Sequence, residues 1–188
     1  MIGTMPDRRP GEGRYAKLER EQRWLVPTVP ERAGRGTVIE DRYVTGTRLR
    51  LRRAEGTSGV LHKLAQKVRP AEGGGGPERV KITNLYLSED EAAVLRQLPA
   101  AVLRKHRWPV RHDGRAYAVD EHLGRLAGLV LAETTLDEAE PRLPLPPFAL
   151  REVTDDERFS GGWLAHASDA EAAALLAEVV EAPGMPRG

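Results

Sequence analysis

The residues best suited to chemistry lie in one short segment near the N-terminus, where Glu19, Glu21 and Arg23 alternate with Arg20 and Gln22. If this segment is a strand, successive side chains point to opposite faces, so both carboxylates and the Arg23 guanidinium share one face. Two carboxylates in this spacing can hold a hard cation such as Mg²⁺ or Mn²⁺, which prefers oxygen ligands and bridges to substrate phosphates. The alternative is a ladder of cross-strand salt bridges with nearby Arg and Lys side chains.

Four later segments carry cations at alternate positions and are also predicted to be strands. These cations are Arg48, Arg50 and Arg52 in 43–53, Lys63, Lys67 and Arg69 in 61–69, Arg79 and Lys81 in 79–87, and Lys105 and Arg107 in 103–110. One such strand is typical of a solvated outer face, but in a closed barrel the cationic faces can point into a shared lumen. Such a lumen would need anions, and the planar fork of arginine fits phosphate oxygens. Cations for a polyphosphate and carboxylates for a metal are the groups that phosphoryl transfer requires.

The elements that must position these residues are mostly strands. Alternating runs at 115–123 and 128–136 follow those above, and Gly56–Gly59 and His112–Gly114 resemble hairpin loops. Capping boxes predict helices over 88–98 and 168–182, and we expect the second helix to cover the outside of the barrel. Trp24, Trp108 and Trp163 are expected to be packing residues. Consecutive strands with few helices favour an antiparallel sheet or barrel.

Composition excludes several classes of function. The 188 residues include 29 Lys and Arg, 28 Asp and Glu, and no Cys, so bulk charge predicts neither a nucleic-acid binder nor a membrane-surface protein, and disulfides and thiolate sites are excluded. No apolar run approaches the roughly 18–20 residues that span a bilayer, so we predict a cytoplasmic protein with no membrane partner. We predict flexible tails at 1–13 and 184–188 around a single domain, 14–183.

Taken in order, these segments resemble the CYTH family, the triphosphate tunnel metalloenzymes. Glu19-x-Glu21-x-Arg23 is similar to the family's Glu-x-Glu-x-Lys signature. The later segments that resemble family strands are Thr47–Arg52, Lys63–Lys67, Leu103–Arg107, Val119–Asp120 with Gly128–Glu133, and Pro146–Phe148 with Arg151–Thr154 and Arg158–Phe159. The likeness spans roughly Tyr15 to Leu164.

The resemblance implies an α+β, mainly β fold: an eight-stranded antiparallel closed β-barrel, or tunnel, with a few flanking helices. It implies one or two divalent cations, Mg²⁺ or Mn²⁺, held by Glu19, Glu21, Asp120 and Glu133. Glu19, Glu21 and Arg23 would be catalytic. The implied phosphate-binding residues are Arg23, Arg48, Arg50, Arg52, Lys63, Lys67, Lys81, Lys105, Arg107 and Arg158.

The activity that follows from the resemblance is metal-dependent hydrolysis of a triphosphate, with tripolyphosphate, ATP or another nucleoside triphosphate as the partner molecule. A nucleotide cyclase of the class IV type and a protein that binds polyphosphate or nucleotide without turnover are the alternatives. An RNA-binding barrel is disfavoured because aromatic residues make up 5% of the chain. Arg23 replaces the signature Lys and Thr135 replaces an expected carboxylate, which weakens the prediction of two metals. A homodimer is compatible with the prediction.

Overall fold

A ring of eight antiparallel strands forms the centre of the computed structural model, which describes residues 10–30, 35–68 and 78–182. The strands are β1 (Lys17–Val26), β2 (Thr37–Val44), β3 (Leu49–Gly56), β4 (Gly59–Val68), β5 (Arg79–Leu87), β6 (Ala100–His112), β7 (Arg115–His122) and β8 (Val130–Leu136). The predicted eight-stranded antiparallel closed barrel, mainly β with a few helices, is confirmed.

The ring closes at β1, which has a different partner on each edge. The spatial order is β5-β4-β3-β2-β6-β7-β8-β1, and the first residues of β1 return to β5, with Lys17 opposite Ile82 and Arg20 opposite Arg79. The end of the same β1 edge pairs with β9 (Arg151–Glu152), a two-residue strand. The short strand β9 therefore completes the barrel wall where β5 stops.

One predicted strand is in fact a hairpin. The segment 43–53 was expected to run unbroken, but β2 ends at Val44 and β3 begins at Leu49. Gly46 has a φ of 71°, which disfavours other residues, and the Thr47 hydroxyl donates to the Val44 carbonyl at 2.9 Å. The turn changes the alternation, so Tyr43 lies on the same face as Arg50, its register partner, and not opposite the arginines as predicted.

The helices lie in two places. α1 (Glu89–Leu95) packs against β4 and β5, where Glu89 contacts His62 Nε2 at 2.6 Å. α2 (Gly161–His166) and α3 (Asp169–Val180) close one end of the barrel. Their buried side chains pack with Leu25, Leu103 and Leu131, which share the inward face with Arg23, Lys105 and Glu133. The expectation that α3 covers the outside of the barrel is therefore wrong, because its apolar stripe packs with these inward-facing leucines.

A second apolar cluster lies outside the barrel wall. Trp24, Val26 and Tyr117 pack there with Leu143 and Phe148. Trp24 is fully buried, as expected of a packing residue. This cluster fixes the outer face of β1, so its alternate face, which carries Glu19, Glu21 and Arg23, is directed into the lumen.

Several expectations fall outside the described residues. They include Arg69, most of the tail 1–13 and the tail 184–188. Within the described residues, none of the helices has the length and apolar character needed to cross a membrane.

Candidate functional site

A cavity of about 660 Å³ fills the lumen between the strands and the helical end. Glu19, Glu21, Arg23 and Glu133 line it from β1 and β8. Eight of the ten predicted phosphate-binding residues line it: Arg23, Arg48, Arg50, Arg52, Lys63, Lys67, Lys105 and Arg107. The closed ring thus brings together cations that are far apart in sequence.

The β2–β3 side of the cavity is organised by a buried carboxylate. Asp41 is fully buried and accepts two hydrogen bonds from Arg52, from Nε and Nη2, each at 2.7 Å. Arg50 Nε lies 3.6 Å from the same carboxylate and has no hydrogen-bond partner among the described residues. Arg50 itself lines the cavity, so the Asp41 charge holds its guanidinium beside the lumen.

The opposite side holds a denser set of ion pairs, here called the paired network (Arg23, Lys105, Arg107, Asp120 and Glu133). Asp120 accepts from Lys105 Nζ at 2.5 Å and from Arg107 Nε and Nη2 at 2.7 and 2.6 Å. Glu133 accepts from Arg23 Nε at 2.7 Å and from Arg107 Nη2 at 3.2 Å. The two carboxylates therefore fix the three cations in place.

The paired network has strongly shifted pKa values. Burial raises the pKa of the Glu133 carboxyl, but the charges of Arg23, Lys105 and Arg107 outweigh burial and hold that pKa well below its usual range. Burial lowers the pKa of Lys105, and Asp120 opposes this shift without cancelling it. The neighbouring His122 is 3% exposed, and burial followed by the charge of Lys105 lowers its pKa to about 4. His122 is therefore neutral near pH 7.

A third set of cations lining the cavity is more exposed. We call Arg48, Lys63 and Lys67 the exposed cation group. Lys67 Nζ lies 3.8 Å from Glu21, and its side chain is 32% exposed. Burial, followed by the nearby charges of Arg52 and Arg50, lowers the pKa of Lys63. Within the part of the chain that the structure describes, this group therefore has fewer close ion pairs than the paired network.

The strand carboxylates that remain for a metal are Glu19 and Glu21. Among the described residues, no three acidic or histidine side chains are grouped closely enough to hold a metal ion on their own. Glu133 and Asp120 are already bound to cations, and Asp120 is 1% exposed and does not line the cavity. Glu19 and Glu21 do line it. Two carboxylates beside a phosphate-binding surface suit Mg²⁺, which commonly takes one or two carboxylates plus substrate phosphates.

Two predicted phosphate-binding residues are not brought to the cavity. Lys81 pairs in register with Leu18 and Val68 on the outer face of β5, while Val80 and Ile82 face the lumen. Arg158 binds Asp156 through Nε and Nη2 and Glu178 through Nη1 at 2.7 Å. Neither Lys81 nor Arg158 therefore lies where the resemblance implied that it would bind phosphate.

Sequence patterns did not identify several other residues that line the cavity. Tyr43 lines the cavity beside Arg50, and burial raises the pKa of its hydroxyl to about 12, so it stays protonated. Recognising the Gly46 turn would have revealed it. Trp163 was expected only to pack, yet it lines the cavity together with His166 and the segment 154–157. No local pattern predicts this second group, because α2 and the segment after β9 reach the lumen through tertiary packing.

Comparison with solved structures shows the same fold in another protein. Two crystal structures of NE1496, one described as a hypothetical protein and one as an inorganic triphosphatase, match with TM-scores of 0.54 and 0.53. Their identities to this chain are 24% and 21%, and the matches cover 79% and 80% of this chain and 98% and 95% of those chains. The PH1819 protein from Pyrococcus horikoshii OT3 matches with a TM-score of 0.47, 18% identity and coverage of 64% of this chain and 80% of that chain. No protein-family model and no curated protein matches the sequence.

Proposed function

We propose that this protein is a triphosphatase of the CYTH type, which binds a triphosphate-containing small molecule in the lumen and hydrolyses its terminal phosphoanhydride bond with a divalent cation. The observation that carries the proposal is the convergence of eight cationic side chains and the Glu19–Glu21 pair on one cavity. The fold shared with NE1496, which is described as an inorganic triphosphatase, supports the same class.

The cations have different tasks in this proposal. Arg23, Arg50, Arg52 and Arg107 are held by carboxylates at fixed positions and neutralise the charge that develops on the phosphoryl oxygens, with little reorganisation. The exposed cation group attracts the polyphosphate and binds the oxygens that the buried arginines do not reach. Water attacks the terminal phosphorus and displaces the phosphate chain, so orthophosphate is released.

Glu19 and Glu21 are the residues that would hold the cation. When bound, Mg²⁺ or Mn²⁺ would supply charge neutralisation and orientation of the phosphates. Arg23 stands where the family signature has Lys. Its pKa is lowered by burial and raised more strongly by Glu133 and Glu21, so it remains charged and cannot accept a proton. Arg23 therefore binds and orients phosphate and does not act as a base.

The test measures phosphate release from tripolyphosphate and from nucleoside triphosphates, with Mg²⁺, with Mn²⁺ and with chelator. We expect release by the wild type, loss with chelator and loss in the Glu19→Gln, Glu21→Gln double variant. Glu40→Gln is the matched control, because Glu40 forms a surface pair with Arg104 outside the cavity. Equal rates in the double variant and the wild type would overturn the proposed role of the two carboxylates.

Binding without turnover is the second candidate, and the geometry of the acids favours it. Asp120 and Glu133 are engaged by cations, which leaves Glu19 and Glu21 as the strand carboxylates on the cavity without such close pairing. A protein of this kind would be strongly stabilised against heat by tripolyphosphate. It would release no orthophosphate and form no cyclic nucleotide from any triphosphate, with any metal.

A further inference from the structure

The edge of β1 that closes the barrel changes its partner beside the proposed catalytic residues. β5 pairs with this edge as far as Arg20, and β9 begins to pair with it at Trp24. Residues 21–23 lie between these two pairings, and we call this part of the edge the junction. The Glu21 and Arg23 side chains line the cavity, so the change of partner occurs at the site itself.

Two separate chain segments meet at the junction and satisfy its backbone groups. The Glu21 N–H donates to the Glu78 carbonyl at 3.0 Å, just before β5 begins. The Arg23 N–H donates to Thr154 Oγ1 at 3.0 Å, just after β9 ends. The Arg23 carbonyl accepts from the Val153 N–H at 2.9 Å. A side-chain hydroxyl therefore takes the place of the carbonyl that a neighbouring strand would offer to Arg23.

The Thr154 hydroxyl is well placed to fix the backbone of Arg23. Thr154 is 8% exposed, and its oxygen also lies 3.4 Å from the Arg23 carbonyl, which can accept its proton. On the opposite edge of β1, Arg23 pairs in register with Glu133, and Arg23 Nε donates to the Glu133 carboxylate at 2.7 Å. Because a buried N–H without an acceptor is costly, loss of the hydroxyl would shift the strand at this point.

Arg142 ties the two segments of the junction to each other. Its Nη2 donates to the Glu78 carboxylate at 3.0 Å, and its Nη1 and Nη2 donate to the Asp155 carboxylate at 2.9 and 2.6 Å. Glu78 supplies the carbonyl that binds Glu21, and Asp155 is the chain neighbour of Thr154. Arg142 lies in a separate cavity that the same segment borders. It therefore acts on the junction from outside the lumen.

We infer that Thr154 is a positioning residue for the proposed reaction: its hydroxyl sets the position of Arg23 relative to Glu21, and Arg142 holds Thr154 in place. This inference rests on the proposed function, in which Glu21 would hold the divalent cation and Arg23 binds phosphate. Glu21 and Arg23 then act on the same phosphate chain, so their separation decides how well the site fits the transition state. In this role neither Thr154 nor Arg142 contacts the substrate.

The test compares the wild type with Thr154→Val, Thr154→Ser and a matched control, Thr134→Val, in phosphate release from tripolyphosphate with Mg²⁺. Thr134 is 6% exposed, and its hydroxyl donates to a backbone carbonyl, that of Ala116, at 2.8 Å. It lies on the outer face of β8, in register with Gln22, and not on the cavity. The two valine substitutions should lower the melting temperature by similar amounts, so a purely structural role would give both variants the same kinetics.

We expect Thr154→Val to lower kcat about 10- to 100-fold, because a small misplacement of a catalytic group has an effect of this size. KM should rise by no more than about threefold, since the other cations of the cavity still bind the phosphates. Thr154→Ser keeps the hydroxyl and should retain the wild-type kcat, as should Thr134→Val. Equal kcat values in the two valine variants, or no recovery in Thr154→Ser, would overturn the inference.

Arg142→Met tests the same inference without a change inside the junction, and it remains informative if Thr154→Val does not fold. The Arg142 side chain is 35% exposed, so kcat should fall by a smaller factor, about two- to fivefold, with KM almost unchanged. Arg104→Met is its control, because Arg104 forms an exposed pair with Glu40 outside the cavity. Equal kcat values in Arg142→Met and Arg104→Met would contradict the inference.

Calorimetric affinity for tripolyphosphate, measured without metal, separates this inference from the proposed function. If the wild type neither binds nor hydrolyses a triphosphate, the proposed function is wrong and the inference is wrong with it. If it binds without hydrolysis, Thr154→Val should still lower the affinity about threefold relative to Thr134→Val, and equal affinities would overturn the inference. If the wild type hydrolyses tripolyphosphate and the two valine variants match, the proposed function stands and the positioning role of Thr154 is wrong.

Discussion

The paired network and the exposed cation group line the same cavity but hold their charges in different ways. In the paired network, three cations share Asp120 and Glu133 at distances of 2.5 to 3.2 Å. In the exposed cation group, Lys67 Nζ lies 3.8 Å from Glu21, a longer separation than any in the paired network. Among the described residues, one side of the lumen is therefore closely charge-paired, and on the other side the proposed phosphate chain would supply the missing partners.

This difference gives the two groups different roles, one in the stability of the fold and the other in binding. A buried charge without its partner is strongly destabilising, so residues of the paired network cannot change singly without harm to the fold. Cations that repel one another at an exposed surface destabilise the empty protein slightly, and a bound polyanion removes that repulsion. Mutations in the paired network should therefore change mainly the free energy of unfolding, and mutations in the exposed cation group should change mainly the affinity for a polyanion.

The largest expected effect is on stability, from Asp120→Asn. The substitution keeps the shape of the side chain but leaves Lys105 and Arg107 without their shared charge, and removing one partner of a buried ion pair costs about 3–5 kcal/mol. The free energy of unfolding from urea denaturation measures this loss. Glu40→Gln is the control, because the Glu40–Arg104 pair is exposed and such pairs contribute about 0–1 kcal/mol. Equal losses of unfolding free energy in the two variants would contradict the structural role proposed for the paired network.

The next effect is on binding, from Lys67→Met. The side chain lines the cavity and is 32% exposed, so its loss should change the free energy of unfolding by no more than about 0.5 kcal/mol. A charge-assisted hydrogen bond contributes about 1.5–3 kcal/mol, so affinity for tripolyphosphate should fall about 10- to 100-fold. Isothermal titration calorimetry measures this affinity. Lys81→Met, on the outer face of β5, is the matched control. A similar loss in that control would show that overall charge, and not position, governs binding.

The sequence predicted the strands well because alternation and turn residues are local. The hairpin at His112–Gly114 is one example: Asp113 and Gly114 adopt φ values of 46° and 76°, as a two-residue hairpin turn requires. The turn at Gly46 was missed because a single glycine among threonines is a weak signal, and with it the strand β2 and the lumenal position of Tyr43 were missed.

The candidate site was less predictable because alternation divides a strand into two faces without showing which one is inside. On β3 and β6 the cationic face lines the lumen, but on β5 the lumen is lined by Val80 and Ile82 and the cation Lys81 lies outside. The pairing of Asp120 with Lys105 and Arg107 depends on the register of β6 against β7. The position of Trp163 and His166 on the cavity depends on α2, which no periodic pattern places in the barrel.

Stability should also depend on acid through His122, which neighbours the paired network. His122 has a pKa of about 4 in the folded state against about 6.5 when unfolded. Between these values the unfolded state binds more protons, so the free energy of unfolding falls as pH falls, by about 1–2 kcal/mol between pH 6.5 and 5. His122→Asn, which keeps a donor for the Leu129 carbonyl, should flatten this slope. Urea midpoints at pH 7, 6 and 5 measure it, and an unchanged slope would assign the acid sensitivity to other groups.

The smallest expected effect acts at high pH on the exposed cation group, through Lys63. Burial and then the charges of Arg52 and Arg50 lower the pKa of Lys63, so the free folded protein loses this charge at a lower pH than the unfolded chain does. The unfolded state therefore binds more protons in that window, and the contribution of Lys63 to stability rises as pH rises. Binding has the opposite dependence, because a polyphosphate favours the charged lysine.

Tripolyphosphate binding should accordingly take up a fraction of a proton in the window between the lowered pKa and the ordinary value of about 10.4. Affinity should fall there with rising pH by less than about tenfold per unit, since one group can contribute at most that much. Calorimetry in two buffers of different ionisation enthalpy measures the uptake, which Lys63→Met should abolish and Lys81→Met should retain. Uptake that persists without Lys63 would place the titrating group in the paired network, where Lys105 is the other lysine with a lowered pKa, and the two sides would then both respond to the ligand.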